Sequence, residues 1–296
     1  MSHTALQHAL LNWFEANARD LAWRDPGTGA WGILLSEVMS QQTPVARVEP
    51  IWLEWMRRWP APADLAAASP AEVLRAWGKL GYPRRALRLR ECAAVVVDKH
   101  GGRVPETVEQ LLELPGIGDY TARAVAAFAH GQTVPVVDTN VRRVYHRAIG
   151  GRFLAGPARR RELADVADLL PAAAGGEAPV FSAALMELGA LVCTASAPDC
   201  GHCPIRGLCA WQRNGCPAPS AEELASASRR VQKFAGTDRQ VRGLIMDVLR
   251  NAEGAVPKAS IDVVWPDDAQ RSRALFSLLD DGLAEQDGNG YFHLPR

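Results

Sequence analysis

Four of the six cysteines lie within one short segment of the sequence, in the pattern Cys-x6-Cys-x2-Cys-x5-Cys. They are Cys193, Cys200, Cys203 and Cys209. Four thiolates in one short loop indicate a metal site. An iron–sulfur cluster and a zinc ion both accept four cysteine ligands, and chemistry alone favours the cluster only slightly. Disulfides are the weaker alternative, because no secretion signal is present and a cytosol keeps thiols reduced.

Two carboxylates stand where acid–base chemistry is possible. Glu37 interrupts an otherwise apolar helix around Ile33 to Val38. It either faces solvent or lies in a cleft with a raised pKa, from which it could donate a proton. Asp138 stands just ahead of an apolar-periodic helix, where a purely structural N-cap is the ordinary interpretation. The residue types alone leave both alternatives open.

A glycine turn and several arginine clusters suggest contact with phosphate. The segment from Leu111 to Ala122 reads as a helix, a tight turn and a second helix. Gly116 and Gly118 in that turn would let a phosphate approach backbone amides at a helix N-terminus. Such a contact positions a duplex without reading its bases. For the glycine turn, the alternative is an ordinary helix-turn-helix connection. Arginine clusters near residues 84–90, 142–147 and 159–161 could also bind phosphate, and for them the alternative is a solvated helix face.

The composition favours a folded protein without a membrane segment. The chain has 296 residues, 48% of them hydrophobic, which leaves room for two or three domains. The formal net charge is zero, so the overall charge does not indicate a nucleic-acid ligand. No apolar run reaches the roughly 18 residues of a membrane span, and the N-terminus lacks a secretory pattern. We therefore expect a cytoplasmic protein that does not contact a membrane.

Helical periodicity dominates the elements that must position these residues. Apolar residues recur at three- and four-residue spacings, and Ser69-Pro70-Ala71-Glu72 marks a helix start. Cys92 is predicted to be a small buried residue on an amphipathic helix. Cys216 is predicted to lie in a linker, because proline, serine and alanine accumulate after it. Two further helices and a hairpin with its turn at residues 287–290 then predict a small winged-helix-like domain.

Several motifs together resemble a known superfamily. The cysteine spacing, with Pro204 after the third cysteine, resembles the cluster loop of the endonuclease III superfamily of DNA glycosylases. The run Leu-Pro-Gly-Ile-Gly at residues 114–118 resembles its helix-hairpin-helix motif. The segment 31–43, containing Ser-Glu-Val-Met-Ser-Gln-Gln-Thr, closely resembles the signature of MutY-type adenine DNA glycosylases, as do Leu-Ala-Trp-Arg at 21–24, Gly81-Tyr82 and Asp138-x-Asn140. The resemblance covers residues from about 10 to 213.

This resemblance implies an all-α fold of two helical lobes with a helix-hairpin-helix motif and an iron–sulfur cluster loop. Residues 1–20 and 133–213 would form the cluster lobe, and residues 21–132 a helical barrel lobe that contains the hairpin. A linker at 214–236 and the winged-helix-like domain at 237–296 would follow. The resemblance also implies one [4Fe-4S] cluster, held by the four clustered cysteines.

The resemblance further implies removal of adenine from DNA. Cleavage of an N-glycosidic bond needs two carboxyl groups in different protonation states. Glu37 would protonate the adenine, and ionised Asp138 would stabilise or transiently trap the cationic sugar, with Asn140 and Tyr120 orienting these groups. Related enzymes that also cut the strand carry a lysine where Tyr120 stands, since an amine can form a Schiff base. We therefore expect a monofunctional enzyme that leaves an abasic site uncut.

The expected partner is double-stranded DNA with adenine opposite 8-oxoguanine or guanine, bound by a monomer. The adenine would be extruded from the duplex. The resemblance implies that Trp23 and Arg24 line the adenine pocket and that Gln41 of the signature also contacts substrate or DNA. Gln42 and Tyr82 would enter the duplex as wedges. Gly116 and Gly118 of the hairpin would contact the DNA backbone. Two other functions stay open: a mismatch-specific thymine glycosylase of the same superfamily, and a non-catalytic metal-containing DNA-binding protein.

The chain departs from the family pattern in two places. Ser40 stands where the signature usually carries leucine, which puts the local shape of the adenine pocket in doubt. Residues 237–296 are too short for the Nudix-like domain with which family members commonly recognise 8-oxoguanine. Several aspartates in this domain argue against strong affinity for DNA. A role in binding a protein partner is therefore as plausible for it as a role in lesion recognition.

Overall fold

Helices make up most of the computed structural model, which describes residues 3–228 and 234–296. The helices are α1 (Thr4–Asn17), α2 (Ala30–Met39), α3 (Val45–Arg58), α4 (Pro62–Ala67), α5 (Pro70–Trp77), α6 (Arg84–His100), α7 (Val108–Leu112), α8 (Asp119–His130), α9 (Thr139–Ala148), α10 (Glu162–Ala167), α11 (Ala178–Leu191), α12 (Ala210–Arg213), α13 (Ala221–Ser228), α14 (Asp238–Asn251), α15 (Lys258–Asp262) and α16 (Asp268–Asp280). Short strands β1 (Glu285–Gln286) and β2 (Phe292–His293) form one antiparallel pair. The predicted all-α class is confirmed.

The chain divides into two compact units. The first unit comprises Met1–Pro26, Glu106–Leu112 and Gly118–Val231. The second unit comprises Gly27–Pro105, Glu113–Ile117 and Gln232–Arg296. The lobe and linker boundaries drawn from the sequence remain a prediction. Part of the predicted linker, residues 229–233, lies outside the described residues.

The core of the first unit forms where α1, α9 and α11 pack together. Leu10, Val141, Phe181 and Leu188 are completely buried there. Burial of each such side chain contributes about 1.5–3 kcal/mol. Asp138 is the N-cap of α9, and the residues after α11 lead into the cysteine loop. This core therefore fixes the positions of Asp138 and of the start of the cysteine loop.

Tryptophans dominate the core of the second unit. Trp55 meets Trp59 edge-on, with ring centroids 4.8 Å apart, and also meets Trp77 edge-on at 5.6 Å. The indole Nε1 of Trp52 donates to the Gly32 carbonyl at 2.8 Å. A Cβ at Gly32 would lie only 2.8 Å from a Thr28 methyl carbon, so a larger residue does not fit. These contacts fix α2, the helix that carries Glu37.

Residues 237–296 adopt the helices and hairpin that the sequence predicts. Helix α14 packs against α15 and α16. In the hairpin, Glu285 pairs with His293 and Gln286 with Phe292, and Val256 forms an additional bridge to Phe292. Three helices and a two-stranded hairpin are therefore present, and their assignment to a separate winged-helix-like domain stays a prediction.

Within the described residues, no helix is both long enough and apolar enough to cross a membrane.

Candidate active site and cluster loop

Asp138 occupies the N-cap of α9, where the residue is half-buried. Oδ1 accepts a hydrogen bond from the Val141 amide at 2.7 Å, and Oδ2 accepts one from Asn140 Nδ2 at 2.8 Å. Burial raises the pKa of Asp138, and the hydrogen bonds from Val141 and Asn140 partly oppose this rise. The N-cap interpretation is therefore correct as local structure. A helix cap alone does not account for the desolvation of this carboxylate, because most capping carboxylates are open to water.

The side chain of Asn140 connects Asp138 to the loop that follows α11. Its Oδ1 accepts from Arg143 Nη2 at 2.5 Å. Arg143 also donates to the Gly189 carbonyl and, through Nε, to the Cys193 carbonyl, both at 2.6 Å. A Cβ at Gly189 would lie 2.6 Å from Asn140 Cβ, so only glycine permits this approach of α9 and α11. The orientation of Asp138 is thus linked to the cysteine loop.

The four clustered cysteines line a single pocket of the first unit, together with Arg147. Arg147 is buried and donates to the Cys193 sulfur at 3.4 Å and to the carbonyls of Phe153, Thr194 and Ala195 at 2.7–3.0 Å. Within the described residues, no three His, Cys, Asp or Glu side chains are placed to hold a single metal ion. A four-iron cluster takes one thiolate at each iron, so its ligands surround a pocket.

The chemistry of these thiols fits a bound cluster. Burial raises the pKa of Cys203 to about 11, and it also raises the pKa of Cys200 and of Cys209. Buried thiols ionise only when a nearby positive charge stabilises the thiolate, and iron supplies such a charge. Cys92 lies outside the loop, where burial raises its pKa to about 12, as expected for a small core residue.

Glu187 on α11 forms a buried charged cluster that the sequence interpretation missed. Its carboxylate receives hydrogen bonds from the Arg19 amide and guanidinium at 2.8 Å and from Arg24 Nη2 at 3.0 Å. Burial alone would raise the pKa of Glu187, but these hydrogen bonds outweigh it and lower the pKa to about 2. Arg24, predicted at the adenine pocket, is thus held by Glu187. Trp23 lies half-buried on the same short turn.

The Glu187 cluster should make stability depend on pH. The pKa of Glu187 is lowered on folding, so its contribution is complete well above 4.5 and is lost as pH falls toward 2. Each pKa unit corresponds to about 1.4 kcal/mol, so Glu187→Gln should lower the free energy of unfolding at pH 7 by about 3 kcal/mol. Denaturant unfolding from pH 7 to pH 3 should show the two proteins converging. Glu15→Gln changes an exposed carboxylate, so its free energy of unfolding should follow that of the wild type at every pH. If the free energies of unfolding of Glu187→Gln and the wild type differed by the same amount at every pH, the assignment would be contradicted.

The glycine turn predicted to contact phosphate lies between α7 and α8. Gly116 has φ of 79°, and a Cβ there would lie 2.9 Å from Arg88 Cβ. Gly118 is the N-cap of α8, and a Cβ there would meet nothing within 4 Å. Gly116 is therefore required by backbone conformation and packing, whereas Gly118 leaves open space at a helix N-terminus. Tyr120 is half-buried in the first turn of α8, against Ala124, Ala127 and Val136.

Glu37 is half-buried on α2, a helix buried around most of its circumference. Leu34, Leu35 and Met39 are completely buried on this helix. The exposure of Glu37 therefore lies between the two alternatives drawn from the sequence, and its role as proton donor stays a prediction. Ser40, which replaces the leucine of the signature, is the residue that ends α2.

Two of the predicted wedge residues have an unusual backbone conformation. Among the described residues, three that are not glycine have positive φ: Gln42 at 54°, Tyr82 at 47° and Cys216 at 56°. Non-glycine residues adopt this conformation at a cost in energy, and such strain concentrates at functional sites. The Tyr82 side chain is also 45% exposed, high for a large aromatic ring. Cys216 shares this conformation without an assigned role, so the positions of Gln42 and Tyr82 in the duplex stay predictions.

Arg85 connects the turns that carry Gln42 and Tyr82, and sequence reasoning did not single it out. Its Nη1 donates to the Val38 carbonyl at 2.6 Å and to the Gln41 carbonyl at 2.8 Å. Its Nη2 donates to the Gly81 carbonyl at 3.2 Å, next to Tyr82. Its guanidinium also lies over the Tyr82 ring, 5.8 Å from the centroid. The arginine cluster at 84–90 therefore includes a residue that orders both turns, not only a solvated face.

The site residues are divided between the two units. Residues Trp23, Arg24, Gly118, Tyr120, Asp138, Asn140 and the four clustered cysteines belong to the first unit. Residues Glu37, Gln41, Gln42, Tyr82 and Gly116 belong to the second unit.

Two family models match the chain. The model of the HhH-GPD superfamily of base excision DNA repair proteins matches residues 35–157. The model of the iron-sulfur binding domain of endonuclease III matches residues 193–209, from the first clustered cysteine to the last. The fold, the hairpin and the cysteine loop thus define the class: a helix-hairpin-helix base-excision DNA glycosylase with an iron–sulfur domain.

Individual relatives narrow this class. The adenine DNA glycosylase of Mycolicibacterium smegmatis is 59% identical over 286 residues, covering 96% of this chain and 94% of the relative. That of Mycobacterium tuberculosis is 56% identical over 288 residues, covering 97% and 92%. A solved structure of a thermostable thymine-DNA glycosylase matches with a TM-score of 0.65 at 27% identity, over 72% of this chain and 97% of that one.

The chain belongs to the adenine DNA glycosylase family. The predicted family, enzyme class and [4Fe-4S] cluster are confirmed.

Proposed function

We propose that this enzyme removes adenine mispaired with 8-oxoguanine or guanine in double-stranded DNA and leaves the resulting abasic site uncut. The observation that carries the proposal is the half-buried Asp138 carboxylate, fixed by hydrogen bonds from the Val141 amide and from Asn140. A desolvated anion with a rigid orientation is suited to stabilise a developing positive charge.

In the proposed reaction, Glu37 donates a proton to the adenine ring, and the bond between the ring and the sugar C1′ breaks with its electron pair leaving on adenine. Ionised Asp138 stabilises the cationic sugar or traps it transiently. Water then adds to C1′ and loses a proton, which gives the abasic site. Asn140 and Tyr120 orient the reacting groups. Tyr120 offers a phenol where a Schiff base would need an amine, so no strand cleavage follows.

The remaining site residues would bind DNA. The N-terminus of α8, preceded by Gly116 and Gly118, would contact a phosphate, since helix N-termini favour anions. Trp23, Arg24 and Gln41 would contact the adenine, and Gln42 and Tyr82 would fill the gap left by the extruded base.

Cys193, Cys200, Cys203 and Cys209 would be the ligands of the [4Fe-4S] cluster. With all four as ligands no open iron position remains, so the cluster would stiffen the loop. The enzyme would act as a monomer in the cytoplasm, where reducing conditions keep these thiols available.

Duplexes with defined mispairs test this proposal. The protein is incubated with adenine opposite 8-oxoguanine, guanine and thymine, and the products are treated with alkali. We expect alkali-labile sites at adenine opposite 8-oxoguanine and guanine, no cleavage before alkali, and no adduct trapped by borohydride. Alkali-independent strand cleavage would contradict the monofunctional assignment, and the absence of labile sites in every duplex would exclude the proposed activity.

A fourth duplex, with thymine opposite guanine, tests a second candidate substrate. A thymine-DNA glycosylase of Aeropyrum pernix is 32% identical over 217 residues, covering 71% of this chain and 95% of the relative. The signature around Glu37, which departs from the family pattern at Ser40, favours adenine. Release of thymine, with adenine left intact, would reverse that preference.

A further inference from the structure

The segment from Gly78 to Arg84, which includes Tyr82, contacts the winged-helix-like domain on both sides of Tyr82. On one side, Arg250 of α14 donates to the Gly78 carbonyl, and Lys79 forms an ion pair with Asp247 at 3.3 Å. On the other side, Arg84 forms an ion pair with Asp281 at 3.0 Å. All these groups belong to the second unit.

Additional hydrogen bonds join α5 to the end of α14. Arg75 donates to the carbonyls of Arg250 and Ala252, each at 3.3 Å. The Arg250 side chain is only 12% exposed, and burial lowers its pKa. A buried guanidinium bound to a carbonyl indicates a fixed interface, since exposed surface ion pairs alone contribute little.

Arg239, in the first turn of α14, lies directly over the ring of Tyr82. Its guanidinium carbon is 5.2 Å from the ring centroid, within the range of a cation–π contact. Arg85 lies 5.8 Å from the same centroid. The Tyr82 ring is therefore oriented by two guanidinium groups, one of them from the C-terminal domain, while 45% of its surface stays exposed.

Several of the aspartates that argue against strong affinity for DNA form ion pairs within this unit. Asp262 pairs with Lys258 and Arg271, Asp268 with Arg271, and Asp281 with Arg242 as well as Arg84, while Asp267 caps α16. Each pair weakens the negative field only locally. These pairs do not remove the objection that the domain is too acidic for strong affinity to DNA in general.

We infer that Arg239 is a positioning residue for Tyr82, through which residues 237–296 set the enzyme's preference for the base opposite the excised adenine. The inference rests on the proposed function, in which Tyr82 enters the duplex. An aromatic ring held at a fixed angle stacks on a neighbouring base with a defined geometry. Loss of Arg239 should therefore weaken the distinction between 8-oxoguanine and guanine more than it weakens binding to DNA in general.

A double-mutant cycle on DNA binding tests this inference without requiring excision. The full-length protein is titrated with duplexes that carry a tetrahydrofuran abasic analogue opposite either 8-oxoguanine or guanine. Arg239→Ala should lower the ratio of the two affinities by about threefold, as expected for one exposed cation–π contact. Arg239→Lys, which keeps the cation, should restore most of the ratio. In a Tyr82→Ala background, Arg239→Ala should have no further effect.

Arg273→Ala is the matched control, because Arg273 is an exposed arginine of the same domain that pairs with Asp238. It should leave the affinity ratio unchanged, and melting temperatures should show that every variant is folded. An equal effect of Arg239→Ala with and without Tyr82, or an unchanged ratio, would overturn the inference. So would a wild-type protein that binds both duplexes equally. Excision assays on the same proteins report separately on the proposed function, which would fail only if no adenine is released.

Discussion

Asp138→Asn should lower the rate of adenine excision by about 10²- to 10⁴-fold while leaving the protein folded. The loss reflects removal of the anion that stabilises the cationic sugar. Asparagine is itself a good N-cap and can still accept from the Val141 amide. Its amide nitrogen would oppose the Asn140 amide that now donates to Asp138, which should cost about 1 kcal/mol of stability. Single-turnover excision and denaturant unfolding measure the two effects.

Asp267→Asn provides the control for this substitution. Asp267 is also an N-cap aspartate, and it accepts from the Gln270 amide at the start of α16. The same chemical change there should leave excision within about twofold of the wild type, the scale of a surface substitution. Similar losses for both variants, or full activity for Asp138→Asn, would show that Asp138 is only a helix cap.

The raised pKa of Asp138 predicts how the rate of adenine excision declines at low pH. The ionised form is required, and burial makes that form less favourable than in an exposed aspartate. As pH falls, Asp138 should therefore become protonated, and excision should decline, at a higher pH than for an ordinary aspartate. A single-turnover profile that stays flat down to pH 4 would contradict this assignment.

Local chemistry allowed much of the fold to be predicted from sequence. The helix start at Ser69, the cap at Asp138 and the C-terminal hairpin all depend on residues within a few positions of one another. One local signal was overlooked: Ser220 and Glu223 form reciprocal hydrogen bonds that begin α13 inside the predicted linker. The pattern Ser-x-x-Glu could have revealed that helix.

The contacts missed by the sequence interpretation join residues far apart in the chain. Glu187 and Arg19 are 168 positions apart, and their pairing arises only when α11 packs beside the end of α1. Arg143 and Arg147 could have faced solvent or phosphate from α9, but both instead bind carbonyls of the cysteine loop. Arginine spacing on a helix specifies a face, whereas the partner of that face depends on the tertiary fold.

Arg147→Ala should cause the protein to lose its iron–sulfur cluster. Arg147 is the buried group that binds four acceptors around the loop, including the Cys193 sulfur. Alanine would leave three carbonyls without this charged donor, and the loss of a hydrogen bond to a charged group costs about 1.5–3 kcal/mol. It would also remove the fixed positive charge beside the thiolates. We expect iron content and the visible absorbance of the cluster to fall at least severalfold, with adenine excision lost in parallel.

The exposed Arg213 of α12, close to the last clustered cysteine, supplies a matched control. Arg213→Ala removes the same kind of side chain from an exposed position and leaves no cavity, so the iron content should stay at the wild-type level. Arg147→Lys separates charge from geometry, because an ammonium group cannot reproduce the planar set of donors that serves several carbonyls. It should retain only part of the iron. A full complement of iron in Arg147→Ala would mean that the cysteines alone fix the loop.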